Sequence, residues 1–125
     1  AAHKFIPTVI RSVRRGEPIS LHPGVHDWVY VDDMVSCLLS MAAAPASRTR
    51  GDIIHLGTGV QTENETVVAL LMDILGARVP IVRETRRFHE YDSDSWVADP
   101  TRAEERYGIV ARTPLVEGLR KTCEF

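Results

Sequence analysis

The sequence predicts an α/β fold: a small domain of mixed helices and short strands. Three observations support this prediction. Several segments have helical periodicity and end at glycine, short apolar runs lie between turn residues, and the two kinds of segment follow one another without the regular alternation of a doubly wound sheet. The chain has 125 residues, 44% of them hydrophobic. Because this length suits one core, we expect a single domain over residues 1–125.

Apolar residues three and four positions apart predict the helices. They cover residues 3–15, 34–44, 62–75, 100–107 and 113–125. Gly16 and Gly76 are the expected C-caps of the first and third helices, since glycine readily adopts the left-handed conformation needed there. Polar side chains are expected to cap the N-termini of the second, third, fourth and fifth helices. These side chains are Asp32 or Asp33, Thr62 in a capping box with Glu65, Asp99, and Thr113.

Short apolar runs bounded by turn residues predict the strands. They cover residues 18–21, 28–31, 52–56 and 79–82. From Arg83 to Ser95 the periodicity disappears and charged residues dominate, which predicts a long loop. Long loops often carry function. The loop's acidic residues Glu90, Asp92 and Asp94 are nevertheless expected to form a solvated face rather than a binding site.

Composition excludes several classes of protein. Fifteen Lys and Arg residues against seventeen Asp and Glu leave a formal charge of −2, which argues against a nucleic-acid-binding protein. No apolar run approaches the length of about 18 residues that a membrane span requires, so no membrane partner is expected. Cys37 and Cys123 are too few and too far apart for a disulfide framework, which favours a reducing, cytoplasmic setting.

The motifs of a complete enzyme are missing from the sequence. The glycine pair Gly57 and Gly59 lacks the third glycine and the βαβ context of a dinucleotide-binding loop. Tyr30, Tyr91 and Tyr107 are not followed four residues later by a lysine that would lower the tyrosine pKa. No histidine pair has zinc-ligand spacing. We therefore predict no catalytic, cofactor-binding or metal-binding residue in these 125 residues.

Four sequence blocks nevertheless carry a family resemblance. They are Lys4–Pro7 with Gly16–Pro18, then His26–Asp33, then Ile53–Gly59, and finally Ala98–Ala103 leading to Glu117–Thr122. In this order, the blocks resemble the C-terminal, substrate-binding portion of the extended short-chain dehydrogenase/reductases, the NAD-dependent nucleotide-sugar epimerase/dehydratase family. The segment D-W-V-Y-V-D-D, residues 27–33, is the most specific part.

The resemblance implies that the missing motifs lie upstream, in a Rossmann domain that has no counterpart in these residues. Family members use NAD(P), bound by that domain, to oxidise a sugar carbon transiently before epimerisation, dehydration or reduction. We expect NAD(P) in the full-length enzyme and none on this chain alone. The helix over 34–44 and the strand over 53–56 would pack on the Rossmann domain. Without it, we expect an exposed apolar surface or self-association through that surface.

The resemblance also assigns five candidate contacts to a nucleotide sugar. Lys4 would meet a phosphate or a base edge, and one of Arg86 and Arg87 would meet a phosphate, because cations pair with phosphate oxygens. His22 would lie beside the base. His26 occupies the position where the family usually has an arginine that grips the diphosphate. Because histidine is fully charged only below a pKa near about 6.5, we expect a diphosphate contact that is weaker or pH-dependent, or that another residue supplies.

The sequence therefore leaves two hypotheses for the function of this chain. The first is the nucleotide-sugar-binding lobe of an NAD(P)-dependent epimerase or dehydratase. The alternative is a stand-alone, non-catalytic binding or interaction module descended from such a lobe. The identity of the base and of the sugar, and the outcome of the reaction, stay open.

Overall fold

The computed structural model describes residues 4–86 and 93–125 of the chain. In these ranges the helices are α1 (Phe5–Arg15), α2 (Val31–Ala43), α3 (Ala46–Thr49), α4 (Asn64–Leu75), α5 (Thr101–Tyr107) and α6 (Leu115–Glu124). The strands are β1 (Ile19–Leu21), β2 (Val25–Asp27), β3 (Gln61–Glu63) and β4 (Ile81–Arg83). The predicted small mixed α/β fold is confirmed.

The chain divides into two compact units. The first contains the described residues within 1–26, 62–95 and 119–125, and the second contains residues 27–61 and 96–118. β1 and β4 form one two-stranded sheet, and β2 and β3 form another where the chain passes from one unit to the other.

The first unit is built on helices α1 and α4 and the parallel pair β1–β4. Ile19 is in register with Ile81, and Leu21 with Arg83. Burial follows the helical spacing seen in the sequence, and the most buried large side chains are Val9, Val67, Val68 and Leu71. Gly16 and Gly76 end α1 and α4 with left-handed backbone, so both predicted C-caps are confirmed.

The second unit has a small core of its own. It is centred on Cys37 of α2, Ala103 of α5 and Ile109, with partly buried apolar side chains packed around them. Those side chains are Met41, Ile54, Leu56 and Tyr107. Burial raises the pKa of the Cys37 thiol, which favours the inert protonated form.

Two of the predicted strands are wrong. Residues 52–56 lie in irregular backbone, although Ile54 and Leu56 contact the core while Ile53 is 75% exposed. The exposure of these residues alternates as it would along a strand. No described segment pairs with them, however, and a strand needs a partner for its backbone groups. Residues 28–31 are not a strand either, because β2 ends at Asp27 and the Tyr30 carbonyl accepts hydrogen bonds from the amides of Asp33 and Met34 in α2.

The predicted N-caps differ from those in the structure. Tyr30 is the N-cap of α2, so Asp32 and Asp33 lie in its first turn, and Asp33 Oδ2 instead accepts a hydrogen bond from the Thr113 amide at 2.9 Å. Glu63 is the N-cap of α4, without a side-chain bond, so the capping box is wrong.

At the other two predicted caps, the helices begin later than expected. Pro100 is the N-cap of α5, although Asp99 Oδ1 accepts from the Thr101 amide at 3.0 Å. Because α6 begins at Leu115, Thr113 lies outside that helix.

Candidate functional site

In the first unit, two predicted contact residues meet at one edge of the β1–β4 pair. His22 directly follows β1, and Arg86 lies three residues after β4. Because the two strands are parallel, their carboxyl ends lie at the same edge, where open α/β sheets commonly bind ligands. His22 Nδ1 is 2.9 Å from the Arg86 carbonyl oxygen. A carbonyl oxygen only accepts hydrogen bonds, so Nδ1 of His22 is the donor.

His26 is held on the same loop by Asn64, a residue that the sequence analysis did not single out. Asn64 is the first residue of α4 and is only 9% exposed. Its backbone amide donates to the Gly24 carbonyl at 2.9 Å, its side-chain Nδ2 donates to the His22 carbonyl at 3.3 Å, and its Oδ1 lies 3.2 Å from His26 Nδ1. One buried amide therefore fixes the course of the chain from His22 to His26.

The close approach of Asn64 depends on glycine in this loop. A Cβ at Gly24 would lie 2.8 Å from Asn64 Nδ2, closer than real Cβ contacts allow. The Pro23–Gly24 pair, which the sequence marks as a turn, thus also provides room for the amide. The signal for Asn64 in the sequence is an asparagine at the start of a helix, between the two residues of the predicted capping box, Thr62 and Glu65.

Two of the five predicted contacts are not brought into this group. Lys4 is the exposed N-cap of α1, and within the described residues its only hydrogen bond is from the Thr8 amide to its backbone carbonyl. Arg87 lies outside the described residues, as do Glu90 and Asp92. The ligand roles of all five residues stay predictions.

Charged residues surround the edge that carries His22 and Arg86. Ser20 Oγ donates to Glu84 Oε1 at 2.7 Å, and the Glu84 amide donates to the Leu21 carbonyl at 2.9 Å. Arg83 forms an ion pair with Glu65. In the described part of the chain, no three His, Cys, Asp or Glu side chains are grouped so that they could hold a metal ion. The histidines and the loop backbone can bind a polar ligand, but they include no nucleophile with its base.

The second unit contains a carboxylate that ties three chain segments together. Asp27 accepts hydrogen bonds from the Thr58 amide at 2.9 Å, the Thr58 hydroxyl at 2.6 Å, the Gly59 amide at 3.0 Å and the Ala98 amide at 3.2 Å. Burial raises the pKa of Asp27, but these hydrogen bonds outweigh it and hold the pKa below the usual value of 3.8. These contacts give Asp27 a structural role in the second unit.

The same contacts decide whether the turn 57–59 fits a dinucleotide cofactor. Such loops bind pyrophosphate through backbone amides that point at the ligand. Here the amides of Thr58 and Gly59 donate to the Asp27 carboxylate instead. The turn therefore does not fit the pyrophosphate of NAD(P).

A second polar cluster surrounds Asp52, whose side chain is 3% exposed. Arg102 and Arg106 form ion pairs with it, and the Tyr107 hydroxyl hydrogen-bonds to it. The Tyr107 hydrogen bond, with the two guanidinium groups, lowers the pKa of Asp52, while the same hydrogen bond raises that of Tyr107. A tyrosine with a raised pKa is the opposite of the lysine-activated catalytic tyrosine, so Tyr107 is not a catalytic acid candidate.

Among the residues that the structure describes, none of the helices has the length and apolar character needed to cross a bilayer.

The sequence model described as the NAD dependent epimerase/dehydratase family matches residues 1–57. A dTDP-glucose 4,6-dehydratase of Streptomyces griseus is 29% identical over 127 residues, which cover 95% of this chain. The chain spans 36% of the length of that dehydratase.

Solved structures agree with this match. MoeE5 in complex with UDP-glucuronic acid and NAD is 30% identical with a TM-score of 0.86, over 99% of this chain and 41% of MoeE5. The UDP-glucose 4-epimerase of Thermotoga maritima, in a structure with UDP-glucose, is 27% identical with a TM-score of 0.85, over 97% of this chain and 38% of the epimerase.

The fold is that of the C-terminal portion of an extended short-chain dehydrogenase/reductase. Within that class, the resemblance to the NAD-dependent epimerase/dehydratase family is confirmed.

Proposed function

We propose that this chain binds the nucleotide-diphosphate part of a sugar nucleotide, as the substrate lobe of an NAD(P)-dependent epimerase or dehydratase. The observation that carries the proposal is the meeting of His22, His26 and Arg86 on one edge of the first unit, held by the buried Asn64. Two solved relatives, similar over nearly all of this chain, have UDP-glucuronic acid or UDP-glucose named as their ligand. Their similarity favours a sugar nucleotide over other polar ligands.

The five candidate residues have distinct proposed roles. Lys4 and the guanidinium of Arg86 or Arg87 neutralise phosphate charge, as arginine and lysine do in other phosphate sites. His22 lies beside the base, and His26 contacts the diphosphate in place of the family's arginine. The histidine carries less charge at neutral pH than an arginine would, so the affinity for a diphosphate increases as the pH falls.

The proposed reaction also needs parts that these 125 residues do not provide. We infer that a Rossmann domain of the same enzyme binds NAD(P), because the amides of the turn 57–59 are already used by Asp27. When bound there, NAD(P) would supply the acceptor for a hydride from the sugar. The contribution of this lobe is to hold the nucleotide while epimerisation, dehydration or reduction of the sugar follows.

The apolar face of α2 supports the presence of such a partner domain. Leu38 is 61% exposed, Leu39 is 65% exposed, and Val31, Met34, Val35 and Ile53 are exposed as well. A contiguous apolar surface of this kind is rare on a monomeric protein and typically marks an interface. We infer that the Rossmann domain covers it in the whole enzyme, and that a second copy of the chain covers it otherwise.

This inference predicts the behaviour of the isolated chain. Light scattering after size-exclusion chromatography should show self-association of the chain, or fluorescence should show strong binding of a hydrophobic dye. Replacing Leu38 and Leu39 by glutamate should abolish whichever of the two occurs. Val116, which is exposed on α6, provides a matched control in Val116→Glu. A wild-type monomer that binds no dye would contradict the inference.

Nucleotide binding can be tested directly by calorimetry. Titration with UDP, dTDP and GDP should show binding of at least one diphosphate, and the matching nucleoside should bind at least tenfold more weakly. His26→Ala should weaken diphosphate binding about tenfold at pH 6, equivalent to about 1.4 kcal/mol for a charge-assisted contact. His55→Ala, at an exposed histidine of the second unit, should change nothing. Absence of binding to all three diphosphates would favour the stand-alone interaction module.

A further inference from the structure

We propose that Asn64 is a positioning residue that sets which nitrogen of His26 carries the proton, and thereby makes diphosphate binding depend on proton uptake. The inference deepens the proposed function and rests on it for its consequence in binding. Its structural part, the protonation pattern of His26, concerns the chain alone. The two parts can therefore be tested separately.

The first step is the orientation of the Asn64 amide. One end of the amide faces the His22 carbonyl at 3.3 Å, and the other faces His26 Nδ1 at 3.2 Å. The His22 carbonyl can only accept a hydrogen bond, so the NH₂ group must point to it. The amide oxygen then faces His26. The backbone bond from the Asn64 amide to Gly24 holds the residue in this position, and its burial leaves little room for another arrangement.

The contact with Asn64 fixes which nitrogen of the His26 imidazole carries the hydrogen. Because Asn64 Oδ1 only accepts, Nδ1 of His26 must carry a hydrogen and donate it. In the neutral ring, Nε2 is then an acceptor. His22 has the same pattern, since its Nδ1 donates to the Arg86 carbonyl. Both rings become donors at Nε2 only when they take up a second proton.

The protonation state of His26 decides whether its Nε2 can bind a phosphate oxygen. Phosphate oxygens at neutral pH are acceptors, and a neutral His26 with an acceptor at Nε2 is repelled by them. The imidazolium form donates from Nε2 and adds a positive charge. An arginine at this position would donate at every pH. The combination of His26 with Asn64 thus converts a permanent phosphate contact into one that requires a proton.

Other charged groups lie on β2 itself, on β3, which pairs with β2, on α4, and on the chain from the end of β4 onward. They are Asp27 on β2, Glu63 on β3, Glu65 on α4, Arg83 and Glu84 at the end of β4, and Arg86 and His22 beside the loop. Asp27 is bound by four donors, and Glu65 is paired with Arg83. These groups are present in both states of His26, so the change in its hydrogen-bonding polarity comes from its own proton.

The protonation pattern is measurable by long-range ¹H–¹⁵N NMR of the histidine rings. At pH 8 the wild-type chain should show His26 protonated at Nδ1, and Asn64→Ala should change it to a mixture dominated by the Nε2-protonated form. Asn64→Asp keeps an acceptor facing Nδ1, so in that variant His26 should stay protonated at Nδ1 as in the wild type. Both variants lose the donor to the His22 carbonyl, so both change the loop in the same way. The difference between them therefore reports the effect of the acceptor on the His26 ring.

The consequence for binding is tested on the wild-type chain. Titration with UDP or dTDP in two buffers of different ionisation enthalpy at pH 7.5 should reveal uptake of up to one proton per diphosphate bound, and none for the nucleoside. A His26 protonated at Nε2 in the wild-type chain, or diphosphate binding without proton uptake, would overturn the inference. If no diphosphate binds, the proposed function fails, while the NMR result still decides the role of Asn64.

Discussion

The variant Asp27→Ala is expected to lower the free energy of unfolding by on the order of 3 kcal/mol. The carboxylate satisfies four donors in the second unit, from Thr58, Gly59 and Ala98. Hydrogen bonds to a charged group contribute about 1.5–3 kcal/mol each, but they are not additive here because one group makes them all. Its removal also leaves the donating amides without an acceptor, which adds to the cost.

Urea denaturation followed by circular dichroism measures this loss. The matched control is Asp32→Ala, at an exposed acid in the first turn of α2, which should change stability by less than about 1 kcal/mol. Equal effects of the two substitutions would contradict the role given to Asp27.

The Asp27 contribution should also depend on pH. Since the folded-state pKa of Asp27 lies below 3.8, its stabilisation is complete above the unfolded-state value and is lost as the pH falls through the folded value. The difference in stability between wild type and Asp27→Ala should therefore be constant from pH 7 to about pH 5 and shrink below about pH 4. A constant difference down to pH 3 would contradict the assignment.

The variant Gly57→Ala is expected to destabilise the same unit by about 1–3 kcal/mol. An added Cβ would overlap the Ala98 Cβ and would lie 2.6 Å from Asp27 Oδ2. Neither neighbour can move easily, because one is fixed to the backbone and the other accepts four hydrogen bonds. Gly57 is thus required for space, so that the turn can reach the Asp27 carboxylate.

A double-mutant cycle tests this explanation. Ala98→Gly removes one of the two overlaps, so the double variant Gly57→Ala with Ala98→Gly should recover part of the stability lost by Gly57→Ala. The same measurement on Ala98→Gly alone supplies the reference. Additive losses in the double variant would show that the overlap with Ala98 is not the cause.

Local features of the fold were predictable from the sequence. Gly16 and Gly76 end helices as expected, because a C-cap depends on the residues of its own helix. The apolar face of α2 is visible in the sequence as a helix with apolar residues on most sides. It was expected to be exposed without a Rossmann domain, and Leu38 and Leu39 are exposed in the structure.

Features that join distant parts of the chain were not predictable. Asp33 was expected to cap its own helix, but its partner is the Thr113 amide, 80 residues later. Residues 52–56 have the alternation of a strand, but pairing depends on another segment at its edge. Composition and periodicity carry no information about such partners.

The candidate site also combines residues that were predictable from the sequence with contacts that were not. His22, His26 and Arg86 were selected through the family resemblance. The structure adds the hydrogen bond between His22 and the Arg86 carbonyl, and the link from His26 to His22 through Asn64. Asn64 was missed, because its partners Gly24, His22 and His26 lie about 40 residues earlier in the chain. A buried asparagine is recognised as part of a site only when its hydrogen bonds are known.

The proposed binding site for a nucleotide diphosphate is the edge formed by residues 20–26, Asn64 and residues 84–86. The most direct test is a backbone ¹H–¹⁵N NMR titration of the 125-residue chain with UDP and dTDP at pH 6. Chemical shifts of those amides should change in a saturable manner, while the amides around Asp52 and Tyr107 stay unchanged. Saturable changes confined to the Asp52 and Tyr107 region, or no change anywhere at millimolar nucleotide, would contradict the claim.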